Sequence, residues 1–510
     1  MGSQRCSSVK TKFIMITGTA SHAGKSIVVA GLCRILSDMG YSVAPFKSQN
    51  MSLNSWVTKD GDEIGIAQAV QAWGARCEPS ADMNPVLLKP KGDMVSQVII
   101  RGKPIGDKKV REYYDSVNDI LDVIKESLKR LSQNSDIIVM EGAGSPAEIN
   151  LYDRDVANMK IAKLVRAPVI LIGDIERGGV FASLFGTVQL IPPEDRNLIK
   201  GFIINKFRGD KTLLEPGIDM LEARTGIPVL GVIPHVFVGL PSEDSVSLKD
   251  KCPDEEKSIE IAVIKLPRIS NFTDFEPLET DAKIRYVNLT DDLKTPDAII
   301  IPGTKNTIDD LQELIKSGMG KQITGLVGKI PILGVCGGFQ MLGKSITDEG
   351  IEGSENKDAV IKGLGLLNVS TVFSTYAKET KQVEKDVVGR GPLLGPINGQ
   401  TIKGYEIHMG NTLSDSPIFT GDGAQDETGL ILGTYLHGLF SNVNFKKAFL
   451  GYLRSKKEDR TNTCQGQTEE RLRSSSDTVF KSVIDPYDNL AGVIRQNVDM
   501  NKLLAIMGLQ

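Results

Sequence analysis

The residues with the clearest chemical pattern lie near the start of the chain, in the stretch from Gly18 to Ser26. An apolar run, Phe13 to Thr17, precedes them and predicts a buried strand, and apolar residues at helical spacing follow them. A strand, a glycine turn that reaches Lys25 and Ser26, and a helix over Ile27 to Met39 present backbone N–H groups and a lysine charge to an anion. The pattern therefore predicts a phosphate-binding loop in which Ser26 can hold a magnesium ion.

The loop is longer than the usual phosphate-binding pattern. Five residues, Thr19 to Ala23, separate Gly18 from Gly24, whereas the common pattern has four. An ordinary glycine turn before a helix would also contain such glycines. The Lys-Ser pair, in register after a predicted strand, favours the phosphate-binding interpretation.

A second reactive group lies in the stretch Ile332 to Gln340, where an apolar run leads into Cys336, Gly337 and Gly338. Glycines allow a sharp turn between a strand and a helix, so the cysteine protrudes at the helix N-terminus. An isolated cysteine is more often a small buried hydrophobe, which is how we interpret Cys33 within the first predicted helix. The turn instead predicts that Cys336 is a nucleophile.

A cysteine nucleophile needs a base, and the sequence contains four histidines. His437 follows a predicted strand in the same half of the chain as Cys336, and we expect it to be the base. His408 is the competing candidate, which we interpret as a structural histidine. Gly303, in a second turn, and Gly337 are placed to donate backbone N–H groups to an oxyanion.

The elements that must position these groups alternate between strand and helix. This alternation predicts a parallel, doubly wound α/β sheet, which binds ligands at the carboxyl ends of its strands. Besides the phosphate loop, the polar residues at or just beyond those ends are Lys47, Glu141, Asp174 and Asn205. We expect Glu141, at the end of an apolar strand, to bind magnesium or its waters rather than to cap a helix.

A polar, aperiodic stretch divides the chain. We predict a first domain at 1–240, a linker at 241–258 and a second α/β domain at 259–510, because the chain is too long for one core. A second polar stretch, Lys456 to Asp477, predicts a loop or a disordered insertion. The final segment, Val479 to Leu509, is expected to be partly helical and to pack on the second domain.

The composition excludes several classes of function. The 510 residues include 64 acidic and 60 basic side chains, so no positive field recruits a nucleic acid, and aromatic residues at 5% are too sparse for base stacking. No apolar run is long enough for a membrane span. The six cysteines form no CxxC pair, which argues against a zinc site or a disulfide framework and for a cytoplasmic protein. Lys89 and Lys91 are expected to be solvated.

Longer strings around these residues resemble the cobyric acid synthase family, the glutamine-hydrolysing amidases of the cobalamin pathway. The strings are PFKSQNMSLNS, MNPVLLKP, EGAGSPAEINL, GDIERGGVFASLFGT, IINKFRGD, GVCGGFQ, GYEIHMG and GTYLHGLF. The resemblance extends from about residue 12 to about residue 450. It implies two doubly wound domains, an N-terminal P-loop domain similar to dethiobiotin synthetase and a C-terminal domain similar to class I glutamine amidotransferases.

The resemblance also implies a reaction that depends on ATP and Mg²⁺. A carboxylate of adenosylcobyrinic acid a,c-diamide would be activated as an acyl phosphate, and ammonia, released from glutamine or taken from solution, would displace the phosphate. The expected product is amidated at the b, d, e and g carboxylates. No nucleic-acid or membrane partner is expected, and the sequence does not indicate an oligomeric state.

Residue by residue, the resemblance matches Cys336 to the family nucleophile and His437 to its base. Lys47 and Glu141 match the phosphate-binding lysine and the metal-binding carboxylate of dethiobiotin synthetase, and Asn205 resembles its adenine-reading asparagine. The residues that match the ATP-binding loop are Gly18, Gly24, Lys25 and Ser26.

One position departs from the class I pattern. Many of these amidotransferases orient the histidine with a glutamate two residues after it, and Leu439 stands at that place. Either a cysteine–histidine dyad operates here, or another group orients His437.

Three alternative functions are considered. The nearest is a cobyrinic acid a,c-diamide synthase, against which the PFKSQNMSLN string argues. A partitioning or septum-site ATPase that uses its nucleotide as a switch would not need the turn at Cys336. A non-catalytic adaptor is disfavoured because Lys25 and Ser26 are both intact.

Overall fold

The computed structural model describes residues 10–92, 94–115, 117–236, 239–241, 243, 248, 254–352, 359–464 and 485–509. In chain order, the elements of the first half are β1 (Lys12–Gly18), α1 (Lys25–Asp38), β2 (Val43–Phe46), β3 (Gln49–Met51), β4 (Ser55–Val57), β5 (Glu63–Gly65), α2 (Ile66–Gly74), β6 (Val86–Gly92), β7 (Val95–Ile100), β8 (Lys103–Lys109), α3 (Val110–Asp115), α4 (Val117–Asn134), β9 (Ile137–Glu141), α5 (Met159–Val165), β10 (Val169–Asp174), α6 (Val180–Leu190), α7 (Pro193–Arg196), β11 (Ile199–Phe207), α8 (Glu215–Thr225) and β12 (Val229–Pro234).

The second half continues the same numbering. Its elements are β13 (Glu260–Lys265), β14 (Ile269–Ser270), β15 (Lys283–Asn288), β16 (Ala298–Ile301), β17 (Gly303–Thr304), α9 (Thr307–Lys316), α10 (Met319–Thr324), β18 (Ile332–Val335), α11 (Gly337–Leu342), β19 (Ser345–Asp348), β20 (Ala359–Lys362), β21 (Ser370–Phe373), β22 (Glu379–Asp386), β23 (Thr401–His408), β24 (Asn411–Leu413), β25 (Ala424–Gln425), β26 (Ile431–Thr434), β27 (Leu436–His437), α12 (Val443–Cys464), α13 (Pro486–Asn497) and α14 (Met500–Met507).

A six-stranded parallel sheet in the order β12-β11-β10-β1-β9-β2 forms the centre of the first half. Successive side chains of β1 serve opposite faces of this sheet: Ile14 and Ile16 belong to one buried cluster and Met15 belongs to another. Because helices cover both faces, β1 reads as an uninterrupted apolar run. The strand order reverses at β1, so the loop after β1 lies where such sheets bind ligands.

The second half contains another six-stranded sheet, in the order β15-β13-β16-β18-β26-β25. All its pairings are parallel except that of β25 with β26. The turns that follow β16, β18 and β26 lead to Gly303, Cys336 and His437 respectively, so these three residues come from adjacent strands. The predicted α/β class with two doubly wound sheets is confirmed.

Small sheets pack the two halves together. The hairpin of β4 and β5 and the four-stranded sheet β3-β6-β7-β8 belong to the first half. Hydrogen bonds join them to the second half: Gln382 Nε2 donates to the Val57 carbonyl at 2.9 Å, and Gln97 Nε2 donates to the Tyr376 hydroxyl at 2.7 Å. These hydrogen bonds hold the two halves of the chain in direct contact.

The last two helices pack on the first sheet, and the expectation that they pack on the second domain is wrong. Leu490, Ala491 and Ile494 share one face of α13 and lie in the buried cluster that contains α1. A Cβ atom at Gly31 of α1 would lie 2.3 Å from Ile494 Cδ1, so the glycine admits α13 at close range. The side chain of Arg34 on α1 pairs with Asp488 at 2.8 Å.

A second correction concerns the polar stretch from Lys456 to Asp477. Residues 456–464 belong to the helix α12 rather than to a loop, since this helix continues from the buried Phe445, Phe449 and Leu453. Residues 465–484 lie outside the described part of the chain. The domain boundaries 1–240, 241–258 and 259–510 stay predictions. The structure differs from the expected organisation in that α13 and α14 pack on the first sheet.

Within the described residues, no helix combines the length and the apolar character that crossing a membrane requires.

Candidate active site

The phosphate loop connects β1 to α1, and its shape depends on Gly24. This residue has a φ of 100°, in the left-handed region that favours glycine. A Cβ atom there would lie 2.0 Å from Asn205 Nδ2. The Asn205 amide in turn donates to the Ala23 carbonyl at 2.9 Å. Two residues predicted from separate motifs therefore meet in the loop.

Lys25 is buried at the start of α1. Its ammonium group donates to the carbonyls of Ala20, at 2.8 Å, and Gly144, at 3.1 Å. Burial lowers the pKa of Lys25 to about 8, with the positive charge of Lys47 acting in the same direction and the carboxylate of Glu141 opposing it. A bound polyanion would offset this desolvation, so the site favours a phosphate.

Two carboxylates and a second lysine surround Ser26. The Ser26 hydroxyl lies 2.9 Å from Glu141 Oε1 and 2.7 Å from Glu243 Oε2. Lys47 Nζ donates to Glu141 Oε1 at 2.8 Å and to Glu243 Oε1 at 2.6 Å. Burial alone would lower the pKa of Lys47, but these two carboxylates hold it well above its usual value. Lys47 in turn lowers the pKa of Glu243 to about 2, against the effect of burial.

The donor set at Ser26 fits a magnesium ion. A hydroxyl and one or two carboxylates are the protein ligands that Mg²⁺ takes beside phosphates, since it keeps several waters. The described residues contain no group of three or more His, Cys, Asp and Glu side chains arranged around a metal. Any ion here would therefore need Ser26, Glu141, Glu243 and the phosphates of a nucleotide together.

Two adjoining cavities open at this loop. One, of about 490 Å³, is lined by both lysines and by the apolar Ala67 and Val70. The other, of about 220 Å³, is lined by Asn205, Lys206 and Pro234 and by Leu490 and Ile494 of α13. The larger cavity lies within the size range of small-molecule binding sites.

The second centre is the turn between β18 and α11. Cys336 has a φ of 54° and a ψ of −113°, a strained conformation for a residue with a side chain. A Cβ atom at Gly338 would lie 2.0 Å from the Ile301 carbonyl oxygen, so only glycine allows this approach. The turn therefore has the geometry of a nucleophile elbow.

His437 is held by an aspartate that no motif indicated. Its Nδ1 lies 2.6 Å from Asp274 Oδ2, and the Gly438 N–H donates to Asp274 Oδ1 at 3.0 Å. Burial alone would lower the pKa of His437, but Asp274 and the Cys336 thiol raise it to about 10. His437 Nε2 has no hydrogen-bond partner in the described part of the chain and adjoins that thiol. The ring is therefore placed to accept the thiol proton.

Asp274 contacts the His437 ring in place of the glutamate that is absent at Leu439. It lies in a short 3₁₀ segment, Phe272–Leu278, that follows β14. Leu439 is buried, with 2% of its surface exposed, and does not orient the ring. The only sequence signal was a carboxylate in the stretch Asn271-Phe-Thr-Asp-Phe, shortly after the first strand of the second sheet. Of the two alternatives, the structure favours an additional orienting group over a dyad.

The remaining predicted residues lie nearby. A Cβ atom at Gly303 would lie 3.5 Å from His437 Cε1, and one at Gly337 would lie 3.2 Å from the Thr304 nitrogen, so both glycines border the site. Their role as oxyanion donors stays a prediction. His408 stacks on Tyr435 with ring centroids 3.7 Å apart, and burial lowers its pKa to about 4. Asp174, by contrast, pairs with Lys206 at 2.8 Å.

Lys89 is buried, and the expectation that it is solvated is wrong. Only 4% of its surface is exposed, because its ammonium group donates to Glu63 at 2.7 Å and to Ser55 at 2.8 Å. It also lines the cavity at Cys336, although it comes from the first half of the chain. Glu243 was missed for a similar reason, since it lies in the stretch interpreted as a linker.

A phosphate loop on one parallel sheet, joined to a cysteine elbow with a histidine and an aspartate on another, defines a nucleotide-binding, glutamine-hydrolysing carbon–nitrogen ligase. Comparison with protein families agrees. Residues 14–237 match the CobQ/CobB/MinD/ParA nucleotide binding domain, and residues 260–445 match the CobB/CobQ-like glutamine amidotransferase domain.

Curated relatives match nearly the whole chain. Probable cobyric acid synthases of Methanococcoides burtonii and Methanosarcina barkeri are 57% and 58% identical, over 98% of this chain and 98% and 100% of their own lengths. That of Methanosarcina mazei is 57% identical over 98% of this chain and 100% of its own length. The chain belongs to the cobyric acid synthase family.

Proposed function

We propose that this protein converts adenosylcobyrinic acid a,c-diamide to adenosylcobyric acid by amidating its b, d, e and g carboxylates in an ATP- and Mg²⁺-dependent reaction. Glutamine supplies the ammonia. The family membership supports the substrate, and the two sites described above support the chemistry. We place the reaction in the cytoplasm, in keeping with cysteines that show no disulfide pattern.

The observation that carries this proposal is a continuous segment, Lys47 to Ser55, that joins the two centres. Lys47 contacts Glu141 at the phosphate loop. At the other end, the Ser55 N–H donates to Asn271 Oδ1 at 3.0 Å, and the Tyr405 hydroxyl donates to the Ser55 carbonyl at 3.2 Å. The Tyr405 ring stacks on His437 with centroids 5.2 Å apart. Ammonia released at the cysteine is therefore formed beside the segment that leads to the phosphate site.

In the glutaminase half, Asp274 holds the Nδ1–H of His437, and Nε2 accepts the proton of the Cys336 thiol. The thiolate attacks the carboxamide carbon of glutamine. Gly303 and Gly337 donate their N–H groups to the oxyanion. His437 returns the proton to the departing ammonia, and water then hydrolyses the thioester to glutamate.

In the synthetase half, the loop amides and Lys25 bind the phosphates of ATP, and Lys47 neutralises the group that is transferred. Ser26, Glu141 and Glu243 would hold a magnesium ion, which supplies positive charge at the phosphate oxygens when bound. Asn205 is proposed to read the adenine. The substrate carboxylate becomes an acyl phosphate, and ammonia attacks its carbonyl carbon while phosphate leaves.

The test is mass spectrometry of the corrinoid products after incubation with ATP, Mg²⁺ and glutamine. We expect four successive amidations of adenosylcobyrinic acid a,c-diamide, each requiring ATP. No amidation of the a,c-diamide, together with amidation of cobyrinic acid at its a and c positions in a parallel incubation, would instead identify a cobyrinic acid a,c-diamide synthase. ATP hydrolysis with no corrinoid product would overturn the ligase proposal.

A further inference from the structure

The cavity at Cys336 contains more positive charge than the hydrolysis of an amide needs. Besides the catalytic pair, it is lined by three lysines, Lys89, Lys305 and Lys378. Lys89 and Lys378 share a single carboxylate, that of Glu63, which is itself buried. This end of the cavity therefore attracts an anion.

Lys305 is the ammonium group that this arrangement leaves without a carboxylate. It is buried, and its hydrogen bond goes to a neutral acceptor, Gln97 Oε1, at 2.9 Å. Among the described residues it forms no ion pair. Burial, followed by the positive charges of Lys378 and Lys89, holds the pKa of Lys305 well below its usual value. A buried lysine without a counter-charge is costly, which indicates a functional role in a pocket that receives an anion.

Glu352 provides the opposite charge in the same cavity. Its carboxylate accepts a hydrogen bond from the Thr307 N–H at 2.7 Å, and it forms no ion pair with any lysine among the described residues. Burial raises its pKa, and Lys305 opposes this effect. The cavity thus contains an ammonium and a carboxylate that influence each other without being in contact.

Glutamine carries both charges on one carbon atom. When its carboxamide lies against Cys336, the α-carboxylate and the α-ammonium lie together at the far end of the side chain. Acidic and basic groups must therefore flank the same point of the cavity. The cavity is small, at about 50 Å³, and therefore excludes a nucleotide.

We propose that Lys305 binds the α-carboxylate of glutamine and that Glu352 binds its α-ammonium group. This assignment rests on glutamine hydrolysis at Cys336. Gln97, on β7 of the first half, positions Lys305 through the 2.9 Å hydrogen bond. Recognition of glutamine therefore requires that the two halves of the chain be docked against each other.

The test uses the full chain with Lys305→Met and Glu352→Gln. Ammonia release is measured with L-glutamine, with glutamine α-amide, which lacks the carboxylate, and with glutaramate, which lacks the α-amine. For Lys305→Met we expect the KM for glutamine to rise about 30-fold or more. We also expect its preference for glutamine over the α-amide to be largely lost. Glu352→Gln should instead lose the preference for glutamine over glutaramate.

Two controls separate this inference from the proposed function. Lys103→Met removes an exposed lysine that pairs with Asp62 at 2.8 Å and does not line the cavity, and it should change neither preference. Alkylation of Cys336 by iodoacetamide, which has no amino-acid head group, should proceed at the wild-type rate in Lys305→Met. Unchanged preferences in both cavity variants would overturn the assignment. A wild-type chain that does not hydrolyse glutamine would overturn the glutaminase itself.

Discussion

The phosphate loop and the cysteine elbow both lie at the carboxyl ends of central parallel strands, yet their charges are arranged differently. At the phosphate loop, Lys47 pairs with both Glu141 and Glu243 beside a cavity of about 490 Å³. At the elbow, the cavity is about 50 Å³, and Lys305 forms no ion pair with a described carboxylate.

We attribute this difference to the ligand that each site binds. A nucleotide with its metal brings charges of both signs, and it can replace contacts that the protein makes with itself in the free state. A single amino acid makes too few contacts to offset the rearrangement of a network of ion pairs. The groups that bind it must therefore be in position before it binds.

Replacing the nucleophile should separate the two centres most strongly. We expect Cys336→Ser to lose glutamine-dependent amidation by about 10⁵-fold or more, as in other enzymes that lose a nucleophile. Amidation with high ammonium chloride should persist, since the synthetase half does not use the thiol. Both rates are measured on the corrinoid product, with Cys77→Ser as the matched control. Loss of the ammonia-dependent rate would show that the centres are not independent.

Asp274 should be nearly as important to the same half. Asp274→Asn leaves the shape of the site but removes the charge that holds His437, and we expect glutaminase activity to fall about 10⁴-fold. The ammonia-dependent rate again reports on the intact fold, and Asp281→Asn is the control. His437→Ala should resemble the cysteine variant, and His408→Ala should keep its glutaminase. A wild-type rate in Asp274→Asn would leave the cysteine–histidine dyad as the better description.

A substitution in the phosphate loop, by contrast, should reduce amidation with both nitrogen sources, glutamine and ammonia. We expect Lys25→Ala to reduce amidation with glutamine and with ammonia by about 10³-fold each, because both need the same activated carboxylate. Lys129→Ala, on the exposed side of α4, is the control. A variant that fails only with glutamine would contradict the division between the two ends.

Substitutions of the two carboxylates near Ser26 should differ in how strongly they change the magnesium requirement. Glu141→Ala should stop turnover or raise the magnesium requirement strongly, whereas Glu243→Gln should raise it by about tenfold, since one buried carboxylate remains. Magnesium titrations of ammonia-dependent amidation measure both. Unchanged titrations would remove these residues from the metal site.

The smallest expected effect is a change with pH in the free energy of unfolding. The pKa of His437 is raised in the folded protein to about 10 from an ordinary value of 6.5. The stabilisation by Asp274 should therefore be fully present below pH 6.5 and decline as the pH rises through 10. Urea unfolding of the wild type and Asp274→Asn at both ends of this range should show a free-energy gap that narrows at high pH. An equal gap would refute the ion pair.

Much of this protein was predictable from local sequence. Phosphate loops and nucleophile elbows depend on neighbouring residues, because a glycine turn between a strand and a helix forms within one short segment. Alternating apolar strands and helices likewise predicted the two parallel sheets. For this reason the sequence alone predicts Lys25, Ser26 and Cys336 as site residues.

Tertiary structure decided the groups that complete each site from a distance. Asp274 reaches His437 across 163 positions of the chain, and Lys305 meets Gln97 across 208. Glu243 lies in a stretch with no periodicity, and α13 joins the first sheet although it ends the chain. Such contacts form only when whole helices and strands pack against one another. This packing is driven by the burial of apolar surface between elements that are far apart in the sequence, and a local pattern does not show which elements will meet. A single sequence therefore predicts the reacting groups, and only the fold brings to them the residues that are proposed to orient them and to recognise their substrates.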